Sequence, residues 1–465
     1  MSSNTIADPS GSTAILARFA AGLRFEDIPP TVVERIKLHV LDGLGVCLHG
    51  SALPWTRMVR EMIVAEGGNS SASLWGCNAR TSVSQAVLIN CTAGHAFEMD
   101  DIHKESVLHP NSLAIPVALA LAESGASTAV HGADVMTAII AGYEVGTRVG
   151  NAATTALFLN GFHPQGTSGA FVAAATAGKM LGLDDQQMQH ALGIAGSMGA
   201  GLMAAQEGAM VKRLHAGKAA QSGVYAAMLA KRGFTGIHNI LEAEYGGFLS
   251  SFSREYDLRK LTDELGSFWE AGKVGFKLYP NVTSIHTALD ALQSILVAER
   301  LGASDIASIK VGCGHMTFVH TAWPYVPHGV TAAQMNLYYG LAVMATRGRV
   351  SAQDYEPEKL ADPGVLAFIN RIEAYEDAEI ESMGPAYRHA CNLSVTTAEG
   401  SVHKRRILAR RGSPEDDVQS IDIENKFRTN VTPLLPANSV LRLVELTAEF
   451  DSLSEIKPIN DLLRI

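Results

Sequence analysis

Val32, Val33, Ile36, Val40, Leu41 and Leu44 recur with the 3.6-residue period of a helix that buries one face. Ile28-Pro29-Pro30-Thr31 is a start signal, with Thr31 placed to cap, and the helix runs to about Gly50. The same pattern predicts helices over 13–22, 55–66 and 82–97, with a brief extended piece at 72–76. From Pro110 to about Gly247 the chain becomes rich in Ala and Gly, as in 114–122, 133–149, 169–182 and 216–230. Small residues at helical spacing let helix axes approach closely. A membrane bundle uses the same device, but Asp, Glu, Lys and His are interspersed here. No apolar run approaches the ~20 residues that a span needs. The reading is a dense, water-soluble helical core.

The period changes near Lys273. Residues 307–313 alternate like a strand, and 392–397 followed by 402–407 read as a hairpin. Helices are expected between them, over 286–300 and 333–346, and again over 421–431 and 438–450. The expected architecture is mainly α. A large all-helical domain is built from 1–272 with 411–465, and a smaller α+β domain spans 273–410. No repeat at a period of 20–50 residues interrupts it.

Composition narrows the function classes. The net charge of −10 argues against a general nucleic-acid binder or a protein of anionic membranes. Five widely spaced cysteines without a CxxC fit reduced, buried thiols in a cytoplasmic protein, not a disulfide frame or a zinc site. The polar N-terminal residues carry no basic-then-apolar targeting pattern. No GxGxxG follows a strand and no G-x-S-x-G elbow is present, which argues against nicotinamide and acyl-transfer chemistry.

Chemistry-bearing residues concentrate in a few segments. Residues 95–110 hold four acids and three histidines: His95, Glu98, Asp100, Asp101, His103, Glu105 and His109. Carboxyls and imidazoles crowded at a helix end can hold and move protons near neutral pH. The Asp-rich run also invites a magnesium reading, but the second metal motif of such enzymes is missing, so capping of the helix end by Asp100 or Asp101 is the simpler fate. A lone histidine before proline, such as His163, is more often a structural loop residue, but His163-Pro164-Gln165-Gly166-Thr167-Ser168 precedes a helix whose free N–H groups suit a carboxylate. Lys212-Arg213-Leu214-His215 opens a helix of tiny residues. Basic groups are unfavourable there, so a partner is expected, either a bound anion or an acid elsewhere in the chain. Lys277 lies in an apolar run where it could simply snorkel. Tyr338-Tyr339 is a pair on a helix, where most tyrosines are core.

Taken in order, Ala-Gly-His-Ala-Phe-Glu-Met-Asp-Asp-Ile-His, His-Pro, Gly-Phe-His-Pro-Gln-Gly-Thr, Lys-Arg-Leu-His-Ala-Gly-Lys-Ala-Ala and Phe-Lys-Leu-Tyr-Pro resemble the MmgE/PrpD family over nearly the whole chain. Members of that family dehydrate 2-methylcitrate, decarboxylate cis-aconitate or epimerise iminodisuccinate. The length and the bacterial-looking sequence place this chain nearest the epimerase, with the two lyase activities as alternatives. The resemblance implies a helical domain and an α+β lid with the site between them, a homodimer, a small anionic carboxylate substrate, and no metal or organic cofactor. It carries over His109, His163, Lys212, Lys277 and Tyr339, with Asp100, Asp101 and His103 from the acidic stretch. Three departures stand out. Glu98 stands where many members have Asp, and Ile102 where many have Thr. Near Val282 the chain lacks a histidine of the animal decarboxylase.

The shared chemistry is charge on a carbon next to a carboxylate, which needs a positioned base and cations beside the enolate. Lys212 with Tyr339 or His163 is the expected acid–base set, His109 and Asp101 the orienting groups, and Lys277, Asp100, His103, Arg213 and Thr167 the substrate-binding groups. A non-catalytic helical scaffold that kept the pocket is the reading from a different class.

Overall fold

The computed structural model describes residues 11–127, 130–416 and 418–465. Nineteen α-helices lie among them, with only short sheets, so the fold is mainly α. The chain divides into two compact units. The first comprises Met1–Met203, Val211–Gly275 and Gln419–Ile465; the second comprises Ala204–Met210 and Phe276–Val418.

The first unit is helical except for two small ribbons, Ala72–Leu74 with Ala79–Thr81 and Ile102–His103 with Val274–Gly275. The periodic stretch of the second helix behaves as its pattern requires: Val32, Val33, Ile36, Val40, Leu41 and Leu44 are all buried. The helix is Pro30–Ser51, and Pro29 holds the cap position in place of Thr31. Proline suits the first helical position because its missing N–H has no partner to lose there.

Close approach explains the small residues. A Cβ on Gly142 would lie 1.9 Å from Thr176 Oγ1, one on Gly146 would lie 2.1 Å from Val172 Cγ2, and one on Gly217 would lie 2.2 Å from Thr92 Oγ1. These contacts join the helices Gly132–Leu159, Gly169–Met180, Val83–Gly94 and Val211–Ala230 into one core. Among the described residues, no helix is long and apolar enough to cross a membrane. All five cysteines are free, and four of them are buried.

The second unit carries a four-stranded sheet in the order Ile372–Glu376, Ile306–Cys313, Cys391–Thr397, Val402–Ile407. The first pair is parallel and the other two are antiparallel. The expected hairpin is there, but Ile372–Glu376 has no counterpart in the sequence reading. The helix expected over 333–346 is two, Val330–Gln334 and Leu337–Arg347. Asn336 divides them by accepting the Tyr339 N–H at 3.0 Å as a side-chain cap.

The Pro30–Ser51 helix also gives a pH prediction. Burial against Phe97, with ring centroids 4.9 Å apart, pulls the His49 pKa from 6.5 down to about 4. Above pH 6.5 neither the folded nor the unfolded chain protonates this ring. Below it the unfolded chain takes up the proton first, so stability falls by ~1.4 kcal/mol per pH unit until the folded ring titrates. His49→Gln should therefore lose about 3 kcal/mol less than the parent between neutral pH and pH ~4, by urea unfolding. Equal acid sensitivity in the two proteins would refute this.

Candidate active site

The acidic stretch does not continue the preceding helix to Phe97. That helix is Val83–Gly94 and His95 is its C-cap. Gly94 sits against its neighbours, since a Cβ there would lie 2.8 Å from Ser112 Cβ and 2.9 Å from Cys47 Sγ. The chain then folds inward. Residues 95–103 are all buried, and Glu98 takes a left-handed backbone with φ 55°. Buried acids must find donors, and each acid here does.

Asp100 is fully buried. Its Oδ2 accepts from Ser112 Oγ at 3.0 Å and lies 2.7 Å from His95 Nδ1. Burial lowers the His95 pKa, with Asp100 acting against it. A neutral His95 facing a carboxylate keeps its proton on Nδ1 and its lone pair on Nε2. His109 Nδ1 lies 2.5 Å from the Asp101 carbonyl oxygen, and a carbonyl only accepts, so His109 also carries a proton on Nδ1. Gln165 clamps this loop. It takes the His109 N–H at 2.9 Å and donates to His109 O and Ser112 Oγ, both at 3.0 Å.

Asp101 faces the other way. Its Oδ1 accepts from the Asn111 N–H at 3.1 Å and its Oδ2 from Tyr143 OH at 2.9 Å, with His39 Nδ1 3.1 Å from the same oxygen. Burial pushes its pKa well above the carboxylate range. Lys426 links the C-terminal segment to this region, donating to Met99 O and pairing with Asp42, each at 2.6 Å. His103 turns toward Ser106 Oγ at 2.9 Å and Glu270 Oε2 at 3.1 Å, away from the other imidazoles.

The remaining imidazoles form a row. Ring centroids are 5.0 Å apart for His109 and His95, 5.5 Å for His95 and His163, and 5.1 Å for His163 and His215. His163 is buried; desolvation first, then the Lys212 charge, holds its pKa well below 6.5. Burial pulls the His215 pKa to about 4. Beside the row, Lys212 Nζ contacts Glu98 Oε1, and Arg213 Nη1 donates to the same oxygen at 2.6 Å. The partner expected for this basic helix start is thus an acid of the chain itself. The Thr167 hydroxyl donates to His163 O at 3.1 Å, which braces the loop.

His95, Asp100 and His109 each offer a ligand atom within 4.8 Å of one another, close enough to hold a metal ion. Two of the ring nitrogens are already engaged, His95 Nδ1 with Asp100 Oδ2 and His109 Nδ1 with Asp101 O. His95, Glu98, Gln165 and His215 were missing from the expected set. All four lie inside the motifs; the inward folding of 95–103 marks out His95 and Glu98, and contacts to His109 and His163 mark out Gln165 and His215.

Lys277 and Tyr339 belong to the second unit. Lys277 is 1% exposed. The Tyr339 hydroxyl donates to Asp354 O at 2.6 Å and its ring lies against Tyr325 and Tyr355. Burial raises its pKa.

The MmgE/PrpD N-terminal domain matches residues 14–260 and the MmgE/PrpD C-terminal domain matches 279–451. The cis-aconitate decarboxylase-like protein oryM of Aspergillus oryzae is 28% identical over 99% of this chain and 98% of its own. Human cis-aconitate decarboxylase is 28% identical over 95% of this chain and 92% of its own. The 2-methylcitrate dehydratase of Cupriavidus necator is 27% identical over 62% of each chain. The two domain matches take in the motifs described above, save Phe276-Lys277-Leu278, which lies between them, and the chain belongs to the MmgE/PrpD family.

Proposed function

We propose that this protein is a cofactor-independent lyase of a small tricarboxylate, and that its reaction is decarboxylation of a substrate like cis-aconitate. The carrying observation is the buried row His109–His95–His163–His215 beside Lys212 and Arg213. In such a reaction the bond to the departing carboxylate breaks and CO₂ leaves. The electron pair stays on the carbon framework, delocalised toward a remaining carboxylate, and a proton is added to carbon. Buried cations stabilise that carbanion best where water is excluded. Lys212 is the proposed proton donor and His163 its partner base, with His109 and Asp101 orienting and Arg213 binding a carboxylate. Tyr339 is left out of the acid–base pair because its hydroxyl is engaged with Asp354 O. The relatives that span nearly the full chain support decarboxylation ahead of the epimerisation expected from length.

Epimerisation of iminodisuccinate is the second reading. It is favoured by Glu98, a departure from the family pattern, which occupies both cations that would otherwise meet a substrate carboxylate. It requires only proton removal and return at one carbon. Turnover in D₂O with cis-aconitate, 2-methylcitrate and iminodisuccinate separates the readings. CO₂ release from the first is expected. Water loss from the second makes the protein a dehydratase. Deuterium entering the third without loss of CO₂ or water makes it an epimerase, and silence on all three leaves the scaffold.

A further inference from the structure

His163 and His215 meet through the same ring atom. Their Nδ1 atoms are 2.9 Å apart, a hydrogen-bond distance between two groups that can each donate or accept. Two bare nitrogens facing each other would repel, and two N–H groups would clash. One ring must carry its proton on Nδ1 and the other must present a lone pair there. With one proton per neutral ring, the choice at Nδ1 dictates the opposite choice at Nε2.

The backbone fixes this meeting from both sides. The His163 N–H donates to Gly201 O at 3.0 Å. The His215 ring lies on the same residue, since a Cβ on Gly201 would lie 3.2 Å from His215 Nδ1 and 3.3 Å from its Cγ. Gly166 lies close under the same turn, because a Cβ there would lie 2.3 Å from Ala200 O. His215 also sits one turn along the Val211–Ala230 helix from Lys212, so the element that supplies the ammonium supplies this ring.

We propose that His215 is a positioning residue that selects the tautomer of His163, and so decides whether His163 meets substrate as a proton acceptor or as a donor. The catalytic half rests on the lyase reading; the pairing of the rings does not. His163 Nδ1–H donating to His215 leaves His163 Nε2 bare, as a base. The reverse leaves Nε2–H, as an acid. Removing His215 frees His163 to populate both, and only one is productive.

The test is ¹⁵N-histidine-labelled protein, with ring nitrogens read by long-range ¹H–¹⁵N correlation and His163 assigned through His163→Gln. In the parent, His163 and His215 should carry their protons on opposite nitrogens. In His215→Phe, His163 should become a mixture of tautomers. Its kcat should fall severalfold, in proportion to the share of the unproductive tautomer, with KM essentially unchanged. If His215→Phe fails to fold, His215→Leu, which also has no ring nitrogen to face His163 Nδ1, should mix the same tautomers. Two Nε2–H rings in the parent, or a His163 tautomer indifferent to both substitutions, would overturn the proposal. If no substrate turns over but the tautomers behave as stated, the lyase reading fails and the pairing stands.

Discussion

Lys212→Ala should fold normally and lose turnover by about 10²–10⁴, the usual worth of a general acid or base. The folding half follows from the ion triplet. Lys212 is 4% exposed and shares Glu98 Oε1 with Arg213. Truncating the lysine leaves that carboxylate bound to the guanidinium at 2.6 Å, so no buried anion is stranded. The catalytic half follows from position. The Lys212 charge is among the causes that hold His95, His163 and His215 neutral, so it faces the whole imidazole row. Lys212→Arg should not rescue the loss, because a guanidinium keeps its proton at any working pH. Circular dichroism and thermal unfolding check the first half, and single-turnover CO₂ release or deuterium uptake checks the second. Near-normal turnover in Lys212→Ala would remove this residue from the mechanism.

The helical framework was readable because burial and period coincide. The apolar face of the Pro30–Ser51 helix and the Ala/Gly positions of the central helices are local patterns whose consequence is local. The two misplaced helix ends are of a different kind. Nothing in the residues 82–97 forbids a helix through Phe97. It stops at Gly94 because Glu98, Asp100 and Asp101 find donors on segments 10 to more than 100 residues away, Asn111, Ser112, Tyr143, Lys212 and Arg213 among them. Such pairings override propensity and leave no periodic trace. Asn336 is the readable exception: an Asx cap inside an apolar run is a boundary signal. In the site, residue types indicated proton chemistry and the family resemblance supplied its class. Which histidines form the row was not legible. His103 and His109 stand six residues apart in one motif, yet one turns to Glu270 and the other joins His95.

Glu98→Gln should destabilise the free protein by about 3–5 kcal/mol, the cost of removing one partner from a buried ionic group. Glu98 is 2% exposed, and its carboxylate is shared by two cations that are themselves buried. Its left-handed backbone does not offset that loss. A non-glycine residue at φ 55° costs on the order of 1–3 kcal/mol, and glutamine keeps that cost while losing the charge. The native residue is therefore held in a strained conformation by its ion pairs, which decides the sign. The arrangement also says what substrate must do. A polycarboxylate entering beside Lys212 and Arg213 competes with Glu98 for them. In Glu98→Gln that competition is gone, so citrate should restore much of the lost stability and should raise the variant's midpoint more than the parent's, since a ligand stabilises in proportion to its affinity for the folded state. Urea unfolding of both proteins with and without citrate reads all of this. Parent-like stability in Glu98→Gln would mean that the triplet does not hold the two cations. A citrate effect equal in both proteins would mean that the polycarboxylate does not bind where Glu98 does.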